Sequence, residues 1–158
     1  MEEKVRYEDF RKRCHALLST ELTAAIKPNA VHPIVLAYVG DAVFSLAVRV
    51  MLTMREQDRV GVLHDVGARF VSARLQAKAY EALVPYLTEE EADIARRARN
   101  AKSTVPKSAS VSEYRHSTAL EALVGWLYLS GRQERLMTLM EAAMDTIRAE
   151  MLKDEGDS

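Results

Sequence analysis

Between Ile34 and Val48 the chain carries one charged residue, Asp41, and between Ala119 and Leu129 it again carries one, Glu121. Segments this apolar at helical spacing must be buried by other helices, so they dictate a packed helical core. A carboxylate buried alone costs several kcal/mol or takes up a proton, so each acid calls for a cation. No Lys or Arg lies within one helical turn of either acid, which leaves two arrangements. One is an ion pair with a basic residue of another helix; the other is a bound metal ion. Carboxylates suit a hard cation such as magnesium, whereas zinc favours His or Cys.

The rest of the chain agrees with an all-α domain. With 158 residues, 6 Gly and 4 Pro, the chain has room for one domain with a real core and few helix breakers. We place a first helix from Tyr7 to Thr20, with Phe10, Cys14, Leu17 and Leu18 on one face. Pro33 suits the first turn of a second helix, which runs through Asp41 to about Met54. A third is expected over Val60–Leu83, burying Phe70, Leu75, Ala79, Tyr80 and Leu83, before Pro85 stops it. Thr88 and Glu91 form a capping-box pattern that opens a fourth helix ending near Asn100. Ser103 to Ser112, broken by Pro106, reads as a mobile loop. A fifth helix carries Glu121, and Gly131 separates it from a last one with Leu136, Leu139, Met140, Ala143, Met144 and Ile147 on a single stripe. Residues 1–152 are therefore expected to form one domain and 153–158 a frayed polar tail. Trp126, Tyr128, Tyr80 and the methionines of the last helix are expected to be packing residues.

Composition also narrows the function classes. The single cysteine, Cys14, excludes an internal disulfide framework and a cysteine-based zinc site. No apolar signal region opens the chain, and no uninterrupted apolar stretch approaches the ~20 residues of a membrane span, so a cytoplasmic, soluble protein is expected. The net charge of −1 hides an asymmetry. Arg96 to Ser112 holds five basic residues and no acid, so the remainder carries −6. Arginines here could simply stabilise a helix C-terminus, or they could meet phosphates.

The residues around the two acids carry a resemblance. Leu36-Ala37-Tyr38-Val39-Gly40-Asp41-Ala42-Val43-Phe44, together with Tyr114-Arg115-His116-Ser117-Thr118-Ala119-Leu120-Glu121-Ala122-Leu123-Val124-Gly125-Trp126-Leu127-Tyr128-Leu129, resembles the paired signature of the ribonuclease III catalytic domain. Arg97-Ala98-Arg99-Asn100-Ala101-Lys102-Ser103 is similar to the branch that lacks an appended RNA-binding domain, the Mini-ribonucleases III. The resemblance implies a helical homodimer whose valley receives an RNA duplex and whose protomers each cut one strand, leaving a 5′-phosphate and a 3′-hydroxyl. It implies magnesium-dependent hydrolysis, with manganese able to substitute, and maturation of the large-subunit (23S) ribosomal RNA precursor as a cellular role. Asp41 and Glu121 match the catalytic, metal-holding acids. Ile34 and Thr118 stand where larger relatives carry two further acids, and Ser45 where relatives in this branch often have Glu. Thr118 is a candidate to orient a water, and Arg97, Arg99, Asn100, Lys102 and Lys107 are candidate RNA contacts. His116 reads as a surface histidine rather than a general base. The alternative is a non-catalytic helical dimer that binds structured RNA or ribosomal particles, with both acids in structural ion pairs.

Overall fold

The computed structural model describes residues 26–107 and 109–157, all of its regular elements being helical; the helix expected over Tyr7–Thr20 lies outside them. Six α-helices follow in order: α1 (Pro33–Thr53), α2 (Val60–Phe70), α3 (Ala73–Leu83), α4 (Glu89–Asn100), α5 (Val111–Leu129) and α6 (Gln133–Gly156). Single 3₁₀ turns at Pro28–Ala30 and Val84–Tyr86 lead into α1 and link α3 to α4.

Local chemistry sets most of the boundaries. Pro33 occupies the first turn of α1, and the His32 imidazole accepts the Ile34 amide at 3.2 Å. The expected capping box is present: Glu91 N–H donates to Thr88 Oγ1, and Thr88 N–H donates back to the Glu91 carboxylate. Ser110 and Glu113 repeat it at the start of α5, which therefore begins at Val111, one residue before the expected end of the loop. Gly131, with φ +68°, closes α5 in a Schellman motif: its amide bonds to Tyr128 and that of Arg132 to Leu127.

Two expectations need correction. The single helix over Val60–Leu83 is two, broken at Val71 and Ser72, because the Ser72 hydroxyl accepts the Leu75 amide and caps a fresh start. The tail expected to fray from Lys153 is helical to Gly156. Lys153 donates to Glu150 at 2.8 Å, Arg74 pairs with Asp154, and Arg69 lies 3.5 Å from Glu155, so the last turn is tied to its own helix and to α2 and α3.

α5 is the axis of the fold. Eleven of its 19 residues are buried, with α1, α3 and α4 packed around it, as a helix that is apolar on nearly every side requires. All the expected core positions of α3 and α6 are buried. Trp126 is buried with its indole N–H donating to Asn29 at 2.7 Å, Tyr80 is buried, and Tyr128 packs against the core from a half-buried position. Met140, Met144 and Met151 are core residues, whereas Met137 is exposed.

α1 is less simply placed. It is 21 residues long, with a mean hydropathy of 1.8 across its most apolar window, so its length and composition would allow a membrane span. Its inward face, Leu36, Ala37, Gly40, Phe44 and Val48, packs into the helical core instead. The opposite face leaves Val35, Tyr38, Leu46, Val50 and Met54 exposed, Tyr38 at 80%.

Candidate metal centre

The site begins with two glycines. A Cβ added to Gly40 would overlap the carbonyl of Glu121 and lie 2.8 Å from the Gly125 nitrogen; one added to Gly125 would overlap the carbonyl of Leu36 and lie 2.9 Å from the Gly40 nitrogen. At this crossing α1 and α5 touch backbone to backbone, which only residues without side chains permit. Asp41 follows Gly40 directly and Glu121 stands one turn before Gly125, so the crossing brings the two acids together across two helices.

Their environments differ from the sequence reading and from each other. Asp41 is not immersed in hydrocarbon: it is exposed, at the edge of the buried face of α1. Glu121 is half-buried, and its carboxyl is pushed up to about 8, first by burial and then by the nearby charge of Asp41. The amide of Gln76, on α3, acts weakly in the other direction. Among the described residues neither acid has a basic side chain within salt-bridge distance. The described residues likewise contain no group of three or more His, Cys, Asp or Glu side chains placed to hold a metal. A cation here would take two protein carboxylates and fill its remaining positions with water or phosphate oxygens, which magnesium tolerates.

The other predicted site residues are dispersed. Thr118 is buried one turn before Glu121 and donates its hydroxyl hydrogen to the Tyr114 carbonyl at 2.9 Å, which leaves its lone pairs to accept from a water. His116 stands 3.2 Å from Glu81 and packs on Tyr80, so it is tied to α3. Ser45 lines a recess of ≈ 460 Å³ between α1 and α2 that also holds Arg49 and His64. Arg97 and Asn100 line a shelf with Pro33, Arg96 and Ala101. Arg99 turns to the other side of α4, where it shares a recess of ≈ 450 Å³ with Asn100, Ser112, Arg115 and His116. Lys102 and Lys107 are exposed in the loop, outside the linings of both. Arg97 and Arg99 thus lie on two neighbouring surfaces joined at Asn100, and the two lysines belong to neither.

Sequence reasoning missed two residues. Arg115 joins the Arg99 surface only because α5 packs beside α4. Gln76 carried a readable signal: its neighbours three, four and seven positions on, Ala79, Tyr80 and Leu83, are all buried, so it is polar on an apolar face just as Glu121 is.

This arrangement of helices and acids falls in a known class. The Ribonuclease III domain model matches residues 34–132, and the chain belongs to that family of endoribonucleases. Within it the chain belongs to the Mini-ribonuclease 3 branch. It is 43% identical over 124 residues to the Mini-ribonuclease 3 of Brevibacillus brevis, covering 78% of this chain and 92% of the relative. It is 48% identical over 121 residues to that of Symbiobacterium thermophilum, covering 76% and 93%. A crystal structure of protein FN1578 from Fusobacterium nucleatum superposes with a TM-score of 0.67 at 30% identity, covering 73% of this chain and 93% of that one.

Proposed function

We propose that this chain is a magnesium-dependent endoribonuclease that cuts double-stranded RNA as a cytoplasmic homodimer, with the 23S ribosomal RNA precursor as its cellular substrate. The observation that carries the reading is Glu121, a half-buried acid beside Asp41 with no basic partner among the described residues. That environment disfavours the ionised form until a cation arrives from outside the chain. It also tells against the alternative in which both acids rest in structural ion pairs.

A bound divalent cation would supply a water made nucleophilic at neutral pH and would stabilise charge on the departing 3′ oxygen. Magnesium is the natural choice for two carboxylates, and manganese fits the same donors. Asp41 and Glu121 would hold the ion, their separation fixed by the Gly40–Gly125 contact. Thr118, its own hydroxyl hydrogen committed to the Tyr114 carbonyl, would accept a hydrogen bond from a water and so orient it. Arg97, Arg99, Asn100, Lys102 and Lys107 meet duplex phosphates, which suits A-form RNA because its deep major groove hides the bases. The exposed apolar face of α1, with Val60 and Val62 of α2 also exposed nearby in sequence, supplies the dimer contact. Asp41 flanks that face, so in such a dimer each acid pair would lie next to the protomer boundary.

The test incubates a long RNA duplex with magnesium and compares wild type with Asp41→Asn and Glu121→Gln. Cleavage by wild type to 5′-phosphate products, lost in both variants, is expected; an intact duplex across several divalent metals and salt concentrations would sink the enzyme reading. A stem from the 23S precursor should be cut faster than an unrelated duplex of equal length, and equal rates would remove the ribosomal assignment. Sedimentation of Leu46→Glu should give monomers, and an unchanged dimer would move the interface elsewhere.

A further inference from the structure

Gln76 is the one buried side chain among the described residues with a polar atom left without a partner. It is 2% exposed, and its Nε2 makes no hydrogen bond. Buried amide donors are almost always satisfied, because an unmade bond in a dry interior costs stability, so an exception calls for an explanation. Gln76 sits on α3, which packs directly against α5, and its amide faces Glu121 closely enough to favour that carboxylate's ionised form. The hydrogen bond has not closed, and the carboxyl that the amide faces has no basic partner among the described residues.

On the reading of Asp41 and Glu121 as a metal centre, we propose that Gln76 is a positioning residue of that centre. Its Nε2 donates to the carboxylate oxygen of Glu121 that the cation leaves free, and so aims the other oxygen towards Asp41. A carboxylate offers about four lone-pair positions and a cation takes one or two, so a donor to the rest locks its rotamer without competing for the ion. Residue type matters here. An arginine in this place would hold Glu121 as Arg135 holds Glu91, at 2.7 and 2.9 Å, and would repel a cation. A neutral donor orients the acid and leaves its charge available.

The experiment titrates manganese into the full chain without RNA, following bound ion by electron paramagnetic resonance, and measures urea midpoints alongside. Gln76→Met keeps the side chain's length and removes the donor. It should bind manganese about 10-fold more weakly, the lower end of what losing such a partner costs, with a midpoint equal to or above that of wild type. In cleavage assays the metal concentration for half-maximal rate should rise, while the rate at saturating metal approaches wild type. Gln76→Asn, which withdraws the amide by one methylene, should show the same direction of change and covers the case in which the methionine variant fails to fold. Wild-type manganese affinity in either folded variant overturns the proposal, as does weakened binding that comes only with a lowered midpoint, which marks a structural residue. Asp41→Asn and Glu121→Gln separate the two readings. If they bind manganese like wild type, or if wild type binds none, the metal centre itself fails; if they lose binding and Gln76→Met does not, only the positioning role fails.

Discussion

Glu91 and Glu121 are both glutamates drawn into the helical core, and they are treated in opposite ways. Glu91 is 1% exposed, yet Arg135 donates to both of its oxygens, Thr88 caps against it, and its carboxyl is held below the ordinary range, chiefly by the Arg135 hydrogen bonds. Glu121 is less buried but is pushed up to about 8, because burial and Asp41 act on it with no arginine in reach. The interhelical ion pair that the sequence allowed for the motif acids exists in this protein, but it forms at Glu91. An acid that serves the architecture receives a cation from the chain, while the acid at the α1–α5 crossing has no basic partner among the described residues.

The strongest break of this comparison removes each acid in turn. Glu121→Gln should lower the duplex cleavage rate on the order of 10³-fold, as expected when several kcal/mol of metal-dependent stabilisation is lost, and should leave the metal-free protein at least as stable. Glu91→Gln should instead keep most of the rate per folded molecule and lower the urea midpoint. Similar kinetic losses in the two variants would erase the distinction.

Arg135→Met comes next, because it strands Glu91 without its partner. A loss of about 3 kcal/mol is expected, near the lower end for a broken buried pair, since the Arg135 side chain is 33% exposed. Denaturation of the single variant and of Arg135→Met with Glu91→Gln should show the double variant recovering part of the loss.

Gly40→Ala probes the crossing. The added methyl meets backbone, which cannot rotate away, so the helices must separate at a cost of about 1–3 kcal/mol. Weaker manganese binding should accompany that cost, because the separation of Asp41 and Glu121 depends on the same contact. A stability loss with unchanged metal affinity would detach the acids from the glycine contact.

The last test concerns pH in the absence of divalent cations. Glu121 ionises at 4.5 unfolded and about 8 folded. The unfolded chain therefore loses its proton first, and this acid makes stability fall as pH rises between those values. Glu91 has the opposite sign: lowered from 4.5, it contributes stability above that value and loses it as pH falls through its folded pKa. Urea midpoints from pH 4 to 9 in chelator should flatten over the upper window in Glu121→Gln, while the acid limb of the curve stays in place. An unchanged upper window would mean that Glu121 is not the strained acid.

Much of this protein was readable along the chain. Helical spacing, Pro33, the Thr88–Glu91 box and Gly131 act within a few residues of themselves, so they marked most helix boundaries correctly. The break at Ser72 is hidden along the chain because the apolar pattern continues on both sides of it, and only its hydroxyl on the Leu75 amide separates α2 from α3. The order of the polar tail is hidden for a different reason: Asp154 and Glu155 gain partners in Arg74 and Arg69, about 80 residues earlier in the chain, which local spacing does not reveal.

For the site, the sequence alone determined that two acids stand in apolar helices with small residues around them, because charge against hydrocarbon is a contrast visible without coordinates. The tertiary structure decided everything that depends on distance between helices. It set Asp41 at an exposed edge and Glu121 half inside, gave Arg135 to Glu91 instead, split the basic residues over two surfaces of α4, and turned Gln76 towards Glu121. Each outcome follows from how α1, α3 and α4 pack around α5, and above all from the Gly40–Gly125 contact, where the absence of two side chains lets the backbones meet.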